Sequence, residues 1–105
     1  MEFYDNFKFE WDENKFRENV RNHKVSFYEA RTVFESPFPL LTEDDDLHSQ
    51  YEQRYKTIGL SAKNRLLVVI HTDRGNVIRI ISARKANQLE QGNYHEHLSE
   101  YLPPQ

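Results

Sequence analysis

Between Arg54 and Lys85 the chain sets eight basic side chains, Arg54, Lys56, Lys63, Arg65, Arg74, Arg79, Arg84 and Lys85, against one acid, Asp73. A footprint of that kind suits phosphate or an acidic partner; the plainer reading is a set of solvated strand edges and turns. The contrast with the rest of the chain is sharp. Residues 1–50 carry 12 acids and 6 bases, residues 51–105 carry 5 acids and 8 bases, and the formal net charge is -3. Inside the basic stretch His71 is the side chain whose ordinary pKa permits proton transfer near neutrality. Arg84 can present a planar, two-pronged donor to a phosphate, which a lysine cannot. Beyond it, Glu90 and Tyr94 stand four apart and so share one side of a helix.

Other chemistries are excluded or weakened by composition. With no cysteine there are no thiolate metal sites, cysteine nucleophiles or disulfides. The acidic run Glu43–Asp46 lacks the glycine and alternating ligands of a calcium loop, and reads as a solvated loop. His95 and His97, two apart, point to different sides of a helix and do not form a shared metal site. No metal or cofactor is therefore expected. No apolar run approaches the roughly 20 residues of a membrane span, and the acidic N-terminus is unlike a signal peptide, so a cytoplasmic protein is expected. The 105 residues are read as one domain, 1–105.

The stretch Arg65–Lys85 must position these groups. It reads R-L-L-V-V-I-H-T, the turn D-R-G-N, then V-I-R-I-I-S-A-R-K. Two β-branched runs around Asp73, Gly75 and Asn76 predict a hairpin at the centre of a sheet. The run Tyr51–Leu60 reads as the preceding strand, returned by a turn at Ser61–Asn64. If those turns set the register, Arg54 stands opposite His71 and Lys56 opposite Val69, and one face carries Arg54, Lys56, His71, Ser82 and Arg84. The other face then holds Tyr55, Thr57, Val68, Ile70 and Ile81. A slip of one residue in either turn exchanges the faces.

Phe7–Trp11 alternates as a first strand, and Asp12 follows as a helix N-cap, with Trp11 and Phe16 at hydrophobic-staple spacing. This predicts a helix over Glu13–Asn22, on which His23 and Asn19 serve packing. Ser26 and Glu29 have capping-box spacing and open a second helix, which Pro37 and Pro39 end. Phe38–Thr42 reads as a short edge strand. Ala86–Leu98 reads as a last helix capped by Asn87 and Glu90, weak through Gly92 unless docked. The element order predicts an α+β fold: an antiparallel sheet, two N-terminal helices on one face burying Val68 and Ile70, and a C-terminal helix.

The segments F-E-W-D-E-N-K at Phe9–Lys15, V-S-F-Y-E-A at Val25–Ala30, R-Y-K-T-I-G at Arg54–Gly59, R-L-L-V-V-I-H-T at Arg65–Thr72 and I-R-I-I-S-A-R-K-A at Ile78–Ala86, with Asn19, His23, Glu90 and Tyr94, resemble the BrnT family. The resemblance runs in order from Phe9 to Tyr94, and I-S-A-R-K-A is its most specific block. It implies a RelE-like fold and a ribonuclease toxin of a type II toxin–antitoxin system that arrests translation. It also implies neutralisation by a BrnA-like antitoxin, through whose DNA-binding part alone the complex would meet DNA.

RNA can be cut without metal when a base takes the 2′-hydroxyl proton, cations stabilise the charge on phosphorus and an acid protonates the leaving oxygen. For these tasks the candidate catalytic residues are Arg54, His71, Arg84, Glu90 and Tyr94, and the candidate RNA-binding residues are Lys56, Arg79 and Lys85. Two other readings stay open: a module whose basic sheet recognises an acidic protein segment, and a nucleic-acid binder without catalysis.

Overall fold

The computed structural model describes residues 8–48 and 51–102. The central hairpin forms as β4 (Leu66–Arg74) and β5 (Val77–Lys85), joined by a tight turn in which Gly75 takes φ +60°, a conformation open to glycine. Around it stand β1 (Lys8–Glu10), β2 (Leu41–Asp44) and β3 (Tyr55–Leu60), in the sheet order β1-β5-β4-β3-β2. Three of the four pairings are antiparallel. The fourth, β1 with β5, is parallel, which departs from the expected all-antiparallel sheet. The long connection through two helices carries the chain across the sheet, so the first strand joins the edge of the last one in the same direction.

The helices are α1 (Glu13–His23), α2 (Phe27–Val33) and α3 (Gln88–Ser99). Asp12 caps α1 by accepting from the amides of Asn14 and Lys15, and Trp11 packs on Phe16 at 5.9 Å between ring centroids. Ser26 caps α2 by accepting from the Glu29 amide. The expected return bond from Glu29 is not made, because its carboxylate turns inward to Ser61 and Arg65. Asn87 and Glu90 close a complete capping box on α3. Gly59 lets α2 approach β3: a Cβ there would lie 2.6 Å from Leu40 and 2.7 Å from Val33 side-chain atoms.

Two cores lie on opposite faces of the sheet. Beneath α1 and α2, Val25, Phe27, Val33 and Phe34 pack on Leu67, Val69, Ile78, Ile80 and Ala83. Beneath α3, Ile58 and Val68 pack with Ala86 and Tyr94, flanked by Leu66, Ile70 and Leu98. Val68 is buried as expected, but against α3 and not the N-terminal helices, and half-buried Ile70 goes with it.

Two one-residue departures from the expected register account for this. The β3–β4 connection has five residues, 61–65, with Asn64 at φ +59° and the Ser61 amide donating to the Arg65 carbonyl, so Tyr55 and not Arg54 stands opposite His71. In β5 an extra residue, Ile81, interrupts the ladder: Ile80 pairs with His71 but Ser82 pairs with Ile70. Each departure turns the side chains beyond it to the other face.

Candidate functional site

Both departures act on the expected cluster. Lys56 is turned by the first and Arg84 by the second, so these two remain together, on the α3 face. His71 is turned by neither and is left on the helix-packed face. The expected grouping of Arg54, Lys56, His71 and Arg84 is thus corrected to Lys56 and Arg84 with Glu90.

Glu90 is 5% exposed. Its Oε1 accepts from Arg84 Nη1 at 2.7 Å and its Oε2 from Arg84 Nη2 at 2.9 Å, a bidentate clamp. Lys56 Nζ reaches Oε2 at 2.8 Å, and the Asn87 amide donates to Oε1 at 2.9 Å. The Arg84 guanidinium, against the cost of burial and aided by Lys56 and the Asn87 amide, pulls the Glu90 carboxyl down to about 2. In return Glu90 raises the Arg84 pKa. Both cations stay partly open, with side-chain exposures of 39% for Arg84 and 29% for Lys56. The Arg84 Nε–H and the remaining Lys56 ammonium protons have no partner among the described residues, so donors are left for an anion.

Along the same face run Ser82 and, past the extra residue, Arg79, whose Nη1 lies 3.5 Å from Glu10. Cross-strand from Arg79 sits Thr72, 2% exposed, its Oγ1 without a partner among the described residues. Arg54 is half-buried just before β3, where its carbonyl accepts from the Asp45 amide at 2.8 Å. Lys85 ends β5 exposed.

His71 and Tyr94 are enclosed. His71 is 1% exposed, with Nε2 2.7 Å from Thr57 Oγ1, Nδ1 2.6 Å from Asp73 Oδ1, and the Phe34 and Tyr55 rings beside it. A carboxylate only accepts, so Nδ1 donates to Asp73, while Nε2 shares a hydrogen bond with Thr57 Oγ1, which is itself bonded to Thr42 Oγ1 at 2.9 Å. Tyr94 is 3% exposed, donates to the Pro39 carbonyl at 2.9 Å, and burial raises its pKa. With His97 bonded to the Leu40 carbonyl, Tyr94 docks α3 on the chain that enters β2.

Sequence reasoning missed the Glu29 clasp. Glu29 is buried, receives Ser61 Oγ at 2.7 Å and Arg65 Nε at 2.9 Å, and is held below the usual carboxylate range chiefly by Arg65. Arg65 therefore ties α2 to the sheet and leaves the basic footprint, as exposed Arg74 does through Glu52 at 2.9 Å. The partners are far apart in sequence, and local spacing carried no signal for either. The acidic run Glu43–Asp46 is mostly exposed, and no group of three or more potential metal ligands occurs among the described residues. No helix among them is long and apolar enough to cross a membrane.

The family model for the ribonuclease toxin BrnT of type II toxin–antitoxin systems matches residues 11–90. The crystal structure of the Brucella abortus ribonuclease toxin BrnT shares the fold, with a TM-score of 0.57 and 24% identity over 78% of this chain and 99% of that one. No curated protein matches the sequence. The match of the family model begins just past the first strand and takes in both N-terminal helices, the central hairpin and the Glu90 clamp, and the chain belongs to the BrnT family of ribonuclease toxins of type II toxin–antitoxin systems.

Proposed function

We propose that this ribonuclease toxin cuts RNA on the α3-bearing face of its sheet, with Lys56 and Arg84 as the cations that grip the scissile phosphate. The observation behind this reading is that both cations converge on one buried carboxylate while keeping donors in solvent. In this scheme the 2′-oxygen attacks phosphorus, the bond to the 5′-oxygen breaks, and a 2′,3′-cyclic phosphate and a 5′-hydroxyl result. Charge gathers on the phosphoryl oxygens, where a preorganised guanidinium and ammonium stabilise it. Glu90, held at about 2, is too weak a base to take the 2′-hydroxyl proton near neutrality. It acts as a positioning residue, fixing the plane of the Arg84 fork. His71 and Tyr94 hold the fold together, and the protons are exchanged with water. Arg54, Arg79 and Lys85 grip neighbouring phosphates.

The reaction needs no metal in this reading. Cleavage should survive EDTA and leave cyclic or 3′-phosphate ends, and loss on chelation with recovery in magnesium would overturn that. Arg84→Ala should lower the cleavage rate about 10²–10³-fold, the usual cost of one donor to a developing oxyanion. Arg84→Lys, which keeps charge without the fork, should also lose much of it. An Arg84→Ala protein that cut RNA normally but lost antitoxin affinity would show the basic face to be a protein-docking surface only.

The type II family implies an antitoxin partner. We further propose that it is BrnA-like, that it alone carries the complex to DNA, and that the toxin acts in the cytoplasm.

A further inference from the structure

Past the end of β1 no strand among the described residues lies beside the outer edge of β5, and α1 lies there instead. Asn19 holds it: its side-chain amide donates to the Ala83 carbonyl at 2.8 Å and its oxygen accepts from the Ala83 amide at 3.0 Å, as a neighbouring strand would. Between α1 and this edge is an open recess of about 250 Å³, lined by Lys15, Glu18, Asn22 and His23 from the helix and by Ile81 and Ser82 from the strand. The four helix side chains are exposed and make no side-chain hydrogen bond or ion pair within the described residues. Ser82 belongs both to this recess and to the cation-bearing face, two residues from Arg84 and so about 6.5 Å along the strand.

We infer that this recess is the base-recognition pocket of the ribonuclease site and that it takes guanine from a nucleotide flanking the bond cut; the inference rests on the reading of Lys56 and Arg84 as the phosphate grip. A phosphate on Arg84 leaves its sugar near Ser82, and the attached base can turn over the edge of β5 toward α1. Single-stranded RNA offers its bases in this way, splayed from the stack and readable on their edges. Lys15 supplies a cationic donor for the O6 and N7 acceptors of guanine. Glu18, one turn along, accepts from N1–H and the exocyclic amine. Adenine would set its N1 lone pair against the Glu18 carboxylate and has no O6 for Lys15. Cytosine and uracil are too short to span both. Asn22 adds a donor and an acceptor, and the His23 ring offers a face on which a base can stack.

The test uses the full chain and a set of short RNAs that differ only in carrying G, A, C or U beside the cleaved bond. The wild type should favour G by about tenfold or more, within the discrimination one well-placed pair supplies. In Glu18→Ala, and separately in Lys15→Gln, the preference should fall to about threefold or less, while the other three RNAs are cut at nearly the wild-type rate. These are exposed positions, where substitutions usually move stability by no more than about 0.5 kcal/mol. Equal cutting of all four RNAs by the wild type, a preference for another base, or an unchanged preference in both variants would overturn the inference. The phosphate grip is judged apart, by Arg84→Ala on all four RNAs. Were no cleavage found, the same RNAs blocked with a 2′-O-methyl group would report the preference as binding by fluorescence anisotropy, under the same criteria.

Discussion

Under α1 and α2 the polar side chains of the sheet form a closed chain, Thr42 to Thr57 to His71 to Asp73, each within 2.9 Å of the next and with His71 sealed from solvent. On the other face Lys56 and Arg84 share a buried carboxylate yet stay part-exposed, with donors unspent, and the Thr72 hydroxyl has no partner among the described residues. The first face uses its polar groups to complete itself. The second holds charge in place and leaves it incomplete, which stabilises the fold less but prepares it to meet an anion. A histidine in a basic stretch is thus no guide to catalysis until its face is known.

The widest separation between the faces should come from a pair of substitutions. His71→Ala removes a filled ring from the core and strands Thr57 and Asp73, so stability should fall by about 3 kcal/mol in a denaturant titration. The cleavage rate of the molecules that remain folded should stay within a few-fold of wild type. Lys56→Ala should do the reverse, lowering cleavage by about 10²-fold while costing about 1 kcal/mol or less, since its ion pair is partly solvated. Equal losses of activity per folded molecule in the two variants would contradict the division.

Acid should act through the clamp face. The Glu90 carboxyl is depressed from 4.5 to about 2, so its contribution is complete above the unfolded value and is lost as the pH falls from about 4.5 toward 2. That contribution is at most roughly 3 kcal/mol. The stability difference between wild type and Glu90→Gln, followed by denaturant midpoints from pH 7 down to pH 2.5, should therefore shrink toward zero. A difference that stayed constant across this window would place the clamp's strength elsewhere.

The smallest contrast is between two threonines replaced by valine. Thr57→Val breaks bonds to both His71 and Thr42 and should cost about 1–2 kcal/mol. Thr72→Val removes a buried hydroxyl with no described partner and should be neutral or stabilising by up to about 1 kcal/mol. Melting curves of the two variants should shift in opposite directions or differ plainly in size.

Much of the scaffold could be read locally. The hairpin, the Asp12, Ser26 and Asn87 caps and the Trp11–Phe16 staple all depend on residues within five positions of each other, where side-chain chemistry decides the backbone. Facing could not be read this way. It depends on whether a loop holds four residues or five and on a single unpaired residue inside β5, neither of which has a local signature here. Simple alternation brings Lys56 and Arg84 together because the two one-residue departures cancel for them, and misplaces His71 because they do not cancel for it. Glu29 reads as part of its own helix for a related reason: Ser26 accounts for it nearby, and the stronger claim comes from Arg65, 36 positions away.

A strand is a text with a reading frame of two, and Ile81 is a frameshift in it. Upstream, the frame sends Ile78 and Ile80 into the core; downstream, the same core is served by Ala83 while Ser82 and Arg84 come into register with the opposite side. Were Ile81 counted in the regular alternation, Ser82 and Arg84 would follow Ile78 and Ile80 toward the packed helices and Ala83 would turn outward, with no letter changed. The guanidinium's address is thereby written in the one residue that the ladder skips.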